Sequence, residues 1–301
     1  MASLLAKVKT KLFIVARRRS WGLLDGEYAS VFRGRSLDYD DLREYVPGDE
    51  IRDIDWKATA RHGSPLVKRY VATRKQTVLL VVDTGSSMAA VAPSGEPKKD
   101  LAVLVAGMLG YLALRHSDPV GLVAGDSAGS RMYEAKSSEA HLEVLLRAVD
   151  VACHAQAAPS RFVDQLQYVA DHVRARTLLL VVADDHALST SESQATGLAT
   201  GLLRRLHAQH EILWVTVADA DPTRFESYRD AAEVRDQGLL PAAVRSRARV
   251  HAAYQAATIE RQAALDGALG DLAISRTRIA GSAEAANTVF RLLERQRRRG
   301  H

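Results

Sequence analysis

The chain is predicted to fold as a doubly wound α/β domain, a mostly parallel sheet with helices on both faces. Two observations carry this. Strand-length apolar runs, Thr77–Val82, Val120–Ala124, Thr177–Ala183 and Glu211–Val217, recur between segments of helical pattern. Near-continuous Val/Leu/Ile strands that alternate with helices belong to a parallel sheet covered on both sides. Acidic residues also follow two of these runs directly, Asp83 after the first and Asp184 after the third. Open α/β sheets bind ligands at the carboxyl ends of their strands.

Taken in chain order, residues 4–20 read as a basic amphipathic helix, with Leu4, Leu5, Val8, Leu12 and Val15 near helical spacing. Such a face packs on the body of the protein or lies on an anionic membrane surface. Residues 25–75 form a polar segment, expected to be irregular and packed on the main domain, in which Asp38, Asp40, Asp41, Arg43, Asp49, Arg52, Asp55 and Arg61 alternate with Tyr45, Trp56 and Tyr70. Arg–carboxylate pairs would fold it; Arg43, Arg52 and Arg61 holding an anion is the alternative. The main domain is expected over 76–301. Its first strand leads through a Pro/Gly/Ser loop into a helix over 100–115. The strand at 120–124 turns back through Gly125–Gly129 into a short strand at 131–135. Helices come next at 138–151 and 160–174, broken at Pro159, then the strand at 177–183, a helix at 191–209 and the strand at 211–217. A helical insertion at about 222–272, with Pro241 at its helix start, precedes a short strand at 274–279 and a helix at 284–298.

Composition narrows the function classes. Hydrophobic residues make up 47% and charged residues 26% of 301, ordinary for a globular protein. No apolar run reaches the length of a membrane span, and the charges within residues 1–20 interrupt any secretory leader. Cys153 is the single cysteine, which fits a reducing cytoplasm and excludes a thiolate metal cluster. Both ends are basic: Lys7, Lys9, Lys11 and Arg17–Arg19 at the start, and Arg291, Arg295 and Arg297–Arg299 at the finish. They are expected to be solvated. Nucleic acid is not an expected partner, because no aromatic stacking platform accompanies them.

The stretch Asp83-Thr84-Gly85-Ser86-Ser87 carries the most chemistry. An acidic strand end followed by hydroxyls gathers hard oxygen ligands, suited to Mg²⁺ or Mn²⁺. An aspartic-protease signature has the same opening, but that chemistry needs a second Asp-Thr/Ser-Gly, and the chain has none. The plainest alternative is a strand end at which Asp83 and Ser87 only cap the next loop and helix. Gly125-Asp126-Ser127-Ala128-Gly129 resembles a serine-nucleophile loop but reads as a hairpin turn between two short strands. There is no Gly-x-x-x-x-Gly-Lys-Ser/Thr loop and no Gly-x-Gly-x-x-Gly turn after the first strand. His207 and His210 lack a third ligand nearby and are read as solvated or capping.

Arg43-Glu44-Tyr45-Val46-Pro47-Gly48-Asp49, then Arg52-Asp53-Ile54-Asp55-Trp56, Ala60-Arg61 and Val67-Lys68-Arg69-Tyr70 lead into the strand that ends on Asp83. This succession resembles the bacterial family called domain of unknown function 58, over roughly residues 22–300. The resemblance implies a von Willebrand factor A-like domain with a metal-ion-dependent adhesion site. It also implies a non-enzymatic adaptor that works with a MoxR-type AAA+ ATPase and that ATPase's client protein. The adhesion motif Asp-x-Ser-x-Ser aligns with Asp83 to Ser87, with Gly85 in place of the first serine, so that Ser86 or water would have to replace that ligand. The downstream threonine falls near Ser160, and the later aspartate at Asp184. A hydrolase built on these carboxylates, with Asp185 or His186 as base, is the reading from another class.

Overall fold

The computed structural model describes residues 3–16, 38–47, 49–71, 76–188, 193–222 and 248–299. Arg17–Arg19, Gly48, the start of the helix predicted from residue 191 and the helix start at Pro241 lie outside the described residues. The chain forms two compact units, one over 32–76 and one made of 1–31 with 77–301.

The larger unit is built on six strands: β3 (Val78–Asp83), β4 (Val120–Asp126), β5 (Gly129–Lys136), β6 (Leu178–Asp184), β7 (Glu211–Val217) and β8 (Ser275–Ile279). They form one sheet in the order β5-β4-β3-β6-β7-β8. All neighbours are parallel except β4 and β5, which form the hairpin expected at Gly125–Gly129. Gly129 closes that turn at φ 151°, a conformation that a side chain disfavours. Every residue of β3 and β6 is buried, as central parallel strands require.

Helix α1 (Leu4–Ala16) begins this unit. Further helices are α3 (Lys98–Arg115), α4 (Glu139–Ala152), α5 (Phe162–His172), α6 (Ser193–Gln209), α7 (Ala248–Gly270) and α8 (Ser282–Arg299). Leu79, Val81, Leu179 and Val181 of one sheet face form a single core with Phe162 and Leu166 of α5, Leu202, Leu203 and Leu206 of α6, and Leu265 and Leu269 of α7. Helices α3 and α8 pack beside each other, with α4 against α3 and α1 laid over α3 and α4. Each fully buried Val, Leu or Phe contributes roughly 1.5–3 kcal/mol. The segment expected as a helical insertion contains the connection between the adjacent parallel strands β7 and β8, and α7 places two leucines in the core as a crossover helix does.

The apolar face of α1 is the one predicted: Leu5, Val8 and Leu12 are buried. Its N-terminus rests on Glu143, whose carboxylate accepts from Leu4 N, Leu5 N and Ser3 Oγ. A Cβ at Gly107 of α3 would lie 2.6 Å from Val8 Cγ2, so glycine sets how closely α1 approaches. The face that a membrane would take is filled by the protein's own helices. Lys9 pairs with Glu139 at 2.5 Å.

The smaller unit corrects the expectation of an irregular segment. Strand β1 (Asp38–Glu44) pairs antiparallel with β2 (Leu66–Val71), and α2 (Trp56–His62) lies between them in sequence. Dense charge reads as loop, yet a two-stranded ribbon consists of edges, where charged residues are tolerated. Asp55 caps α2 by accepting from Lys57 N and Ala58 N, and Gly63 ends it at φ 86°. Arg43 pairs with Asp49 at 2.5 Å and Arg52 with Glu50. The predicted ion pairs are present, and these two arginines already have acidic partners.

Candidate functional site

Strands β3, β6 and β7 lie within the sheet and all end at one edge. The chain leaves β3 for β4 on one side and β6 for β7 on the other. The crevice between the ends of β3 and β6 is therefore the topological switch point, where α/β sheets place ligands. Asp83 ends β3 and Asp184 ends β6, so both predicted carboxylates flank it.

A continuous chain of oxygens joins them. Asp83 Oδ1 accepts from Gly85 N at 2.9 Å and from Ser160 Oγ at 3.0 Å. Ser160 Oγ lies 2.6 Å from Ser87 Oγ, and Ser87 Oγ lies 2.6 Å from Asp184 Oδ2. Four of the predicted ligands thus meet. Ser86 is buried, and its backbone N–H donates to Ala158 O at 2.9 Å.

Counting protons shows what this chain lacks. Each hydroxyl has one hydrogen, and two hydrogens cannot fill three oxygen–oxygen contacts. A proton on Asp83 completes the series, donated to Ser160, which donates to Ser87, which donates to Asp184. A cation drawing all four oxygens inward would complete it equally. Asp83 Oδ2 is buried without a partner. Burial, reinforced by the charge of Asp184, pushes the Asp83 carboxyl up to about 7.

Asp184 is driven the other way. Burial raises it, but the Lys98 ammonium, the Ser87 hydroxyl and the His186 amide outweigh burial and hold it below the usual carboxylate range. Lys98 is wholly buried, with Nζ 3.2 Å from Asp184 Oδ2 and 2.5 Å from Asp219 Oδ1. Its ammonium is raised above the ordinary lysine value, because these two carboxylates overcome the burial that would lower it. Asp219 follows β7 by two residues, and burial raises its carboxyl despite Lys98.

The sequence reading missed Lys98 and Asp219, although both had a signal. Asp219 follows an apolar strand as Asp83 and Asp184 do. Lys98 sits in the first turn of α3, where the helix dipole disfavours a cation. A lysine there calls for carboxylate partners.

Gly85 has a steric cause. A Cβ there would lie 2.3 Å from Ser160 Oγ and 2.5 Å from Ser160 N and Cα. The motif's missing serine has no room, because the loop bearing Ser160 occupies its place.

The carboxylates at this edge do not themselves face solvent. Asp83 and Asp184 are 0% and 1% exposed, while Ser87 and Ser160 are half-buried. The mouth of the crevice therefore presents hydroxyls, with the charges recessed beneath them. Asp185 is held by Arg278 through contacts of 2.7–3.2 Å, which engages one of the two candidate hydrolase bases; the other, His186, is exposed. His210 is buried and His207 exposed. Among the described residues no group of three or more His, Cys, Asp or Glu is placed to hold a metal, so any cation here depends on the serines.

A family model described as "Protein of unknown function DUF58" matches residues 41–262. The chain belongs to the DUF58 family. Asp83, Ser87, Lys98, Ser160, Asp184 and Asp219 all lie inside the matched span. The chain is 26% identical over 262 residues to an uncharacterised protein of Mycobacterium bovis, covering 84% of this chain and 79% of that one, and equally similar to one of Mycobacterium tuberculosis. Among solved structures it is similar to an aerotolerance-related membrane protein from Bacteroides fragilis (12% identity, 73% of this chain and 98% of that one, TM-score 0.44). It is also similar to a von Willebrand factor type A protein from Catenulispora acidiphila (9% identity, 75% and 44%, TM-score 0.42). The α/β architecture rests on the strand order of this DUF58 chain itself. No helix among the described residues is long and apolar enough to cross a membrane.

Proposed function

We propose that this DUF58 protein is a non-enzymatic interaction module that docks a partner over the Ser87/Ser160 mouth at the β3–β6 switch point. The observation that carries the reading is the oxygen chain from Asp83 to Asp184, short of one proton. A site whose oxygens close only with one added positive charge, a proton or a cation, is suited to a cation that takes the proton's place.

Mg²⁺ or Mn²⁺ fits that place. Mg–O bonds of about 2.0–2.1 Å put neighbouring ligands of an octahedron about 2.9 Å apart, close to the 2.6–3.0 Å separations along the chain. Asp83, Ser87, Ser160 and Asp184 would hold the ion, leaving positions for water and for a carboxylate of the partner. The ion would supply a bridge between the two proteins. The partner proposed is a MoxR-type AAA+ ATPase, with this chain acting as an adaptor towards its client; the family resemblance supports that choice. The lone buried Cys153 accords with a cytoplasmic setting.

Calorimetric titration of Mg²⁺ and Mn²⁺ tests the metal, with a saturable heat expected that Asp83→Ala and Ser87→Ala abolish. Capture of the ATPase by the immobilised protein tests the partner, with binding expected to fall on Ser87→Ala. Capture that persists in chelator and in Ser87→Ala would instead make the protein a metal-free scaffold. Loss of both signals would overturn the docking site.

A further inference from the structure

We infer that Lys98 is a resident counter-ion of this site that holds down its affinity for divalent cations, so that the ion binds firmly only when a partner supplies an additional anionic ligand. This rests on the metal reading above.

The geometry points to it in three steps. Lys98 Nζ lies 3.2 Å from Asp184 Oδ2, the same oxygen that accepts from Ser87 at 2.6 Å. One carboxylate oxygen therefore serves both the ammonium and the hydroxyl chain, and a cation drawn to that oxygen meets an ammonium already beside it. Like charges at such a distance repel strongly where water is excluded, and Lys98 is wholly buried. Withdrawal of Lys98 is also blocked: Asp219 holds it from the other side at 2.5 Å, and its backbone is fixed in the first turn of α3, where Lys98 N donates to Ala90 O.

The second step is the balance of charge. Asp184 and Asp219 share the one ammonium of Lys98 and neighbouring Asp185 is matched by Arg278, whereas among the described residues no cationic side chain bonds to Asp83. Lys98 thus neutralises part of the charge that would attract a divalent ion and leaves the rest unmatched. The third step is the orphan Asp83 Oδ2, buried and without a hydrogen-bond partner. The ammonium has satisfied the Asp184 half and left the Asp83 half short of a positive charge. A partner's anionic ligand on the ion would offset the repulsion from Lys98, which makes metal binding and partner binding mutually dependent.

The test is a gain of binding, which a merely structural lysine would not give. Mn²⁺ alone is titrated into the full-length protein, following free Mn²⁺ by its electron paramagnetic resonance signal. Lys98→Met is expected to bind Mn²⁺ at least tenfold more tightly than the unaltered protein. Because Lys98→Met strands the buried Asp184 and the part-buried Asp219, a second variant, Lys98→Met with Asp219→Asn, removes the ion pair as a unit and keeps the site's net charge. It too is expected to bind at least tenfold more tightly. Equal or weaker binding by the folded variants, with the unaltered protein still binding through Asp83, would overturn the counter-ion role and leave the metal site standing. No binding by any folded form would overturn the metal reading and this inference together.

Discussion

Asp83 and Asp184 end adjacent strands of one sheet, both are buried, and the protein drives their carboxyl groups in opposite directions. The difference lies in what faces each from outside its own strand. Asp184 has an ammonium, a hydroxyl and the His186 amide at 2.8 Å. Asp83 has the Gly85 amide and a serine hydroxyl on one oxygen and nothing on the other. Burial raises both carboxyls, and α3 delivers Lys98 to Asp184, so one stays charged while the other keeps its proton up to about pH 7. A strand end therefore supplies a carboxylate, and the packed helix decides its charge.

The sharpest way to break the contrast is to remove the ammonium. Lys98→Met leaves the buried Asp184 and the part-buried Asp219 without a counter-charge, and stranding a buried charge typically costs about 3–5 kcal/mol. Urea denaturation at pH 7 should show a loss of that size, and a loss below about 1 kcal/mol would mean the pair contributes little.

Next comes pH, where the two aspartates oppose each other. Asp83 holds its proton more tightly folded than unfolded, so its contribution to stability is complete below about pH 4 and is lost as pH rises through about 7. Asp184, held below its usual value, contributes above that usual value and loses its contribution as pH falls. At about 1.4 kcal/mol per pKa unit, the Asp83 shift is of the order of 4 kcal/mol. In chelator, Asp83→Asn should be more stable than the unaltered protein at pH 8 by about 2–4 kcal/mol, and nearly indifferent to pH between 4 and 8 at this site. An unchanged pH profile would show that Asp83 is ionised throughout.

A smaller effect sharpens the steric side of the comparison. Gly85→Ser would restore the missing motif hydroxyl, but its Cβ meets the Ser160 backbone at 2.5 Å. Overpacking of this kind costs about 1–3 kcal/mol. Thermal unfolding should show destabilisation, with no improvement in Mn²⁺ binding; tighter binding would mean that the Ser160 loop yields. The smallest expected change is Ser87→Ala, which breaks the link between the two halves and costs about 1 kcal/mol. Its signature is greater independence of the two carboxyl groups, read as separate titrations of their ¹³C resonances by NMR.

The sequence by itself determined the sheet. Runs such as Leu178–Val182 are too apolar to lie anywhere but a core, and period and length alone set their alternation with helices. The carboxylates that follow such runs were legible for the same reason, and the motif brought Ser87 and Ser160 with them. The β1–β2 ribbon was not legible, because charge density marks loops and edge strands alike. Only tertiary structure decided that Lys98 and Asp219 complete the site, that Gly85 is glycine to admit Ser160, and that one aspartate is neutralised and the other left unmatched. Each of these depends on atoms brought within about 3 Å from segments far apart in the chain, and pairwise electrostatics at that range follows distance and burial rather than the order of residues.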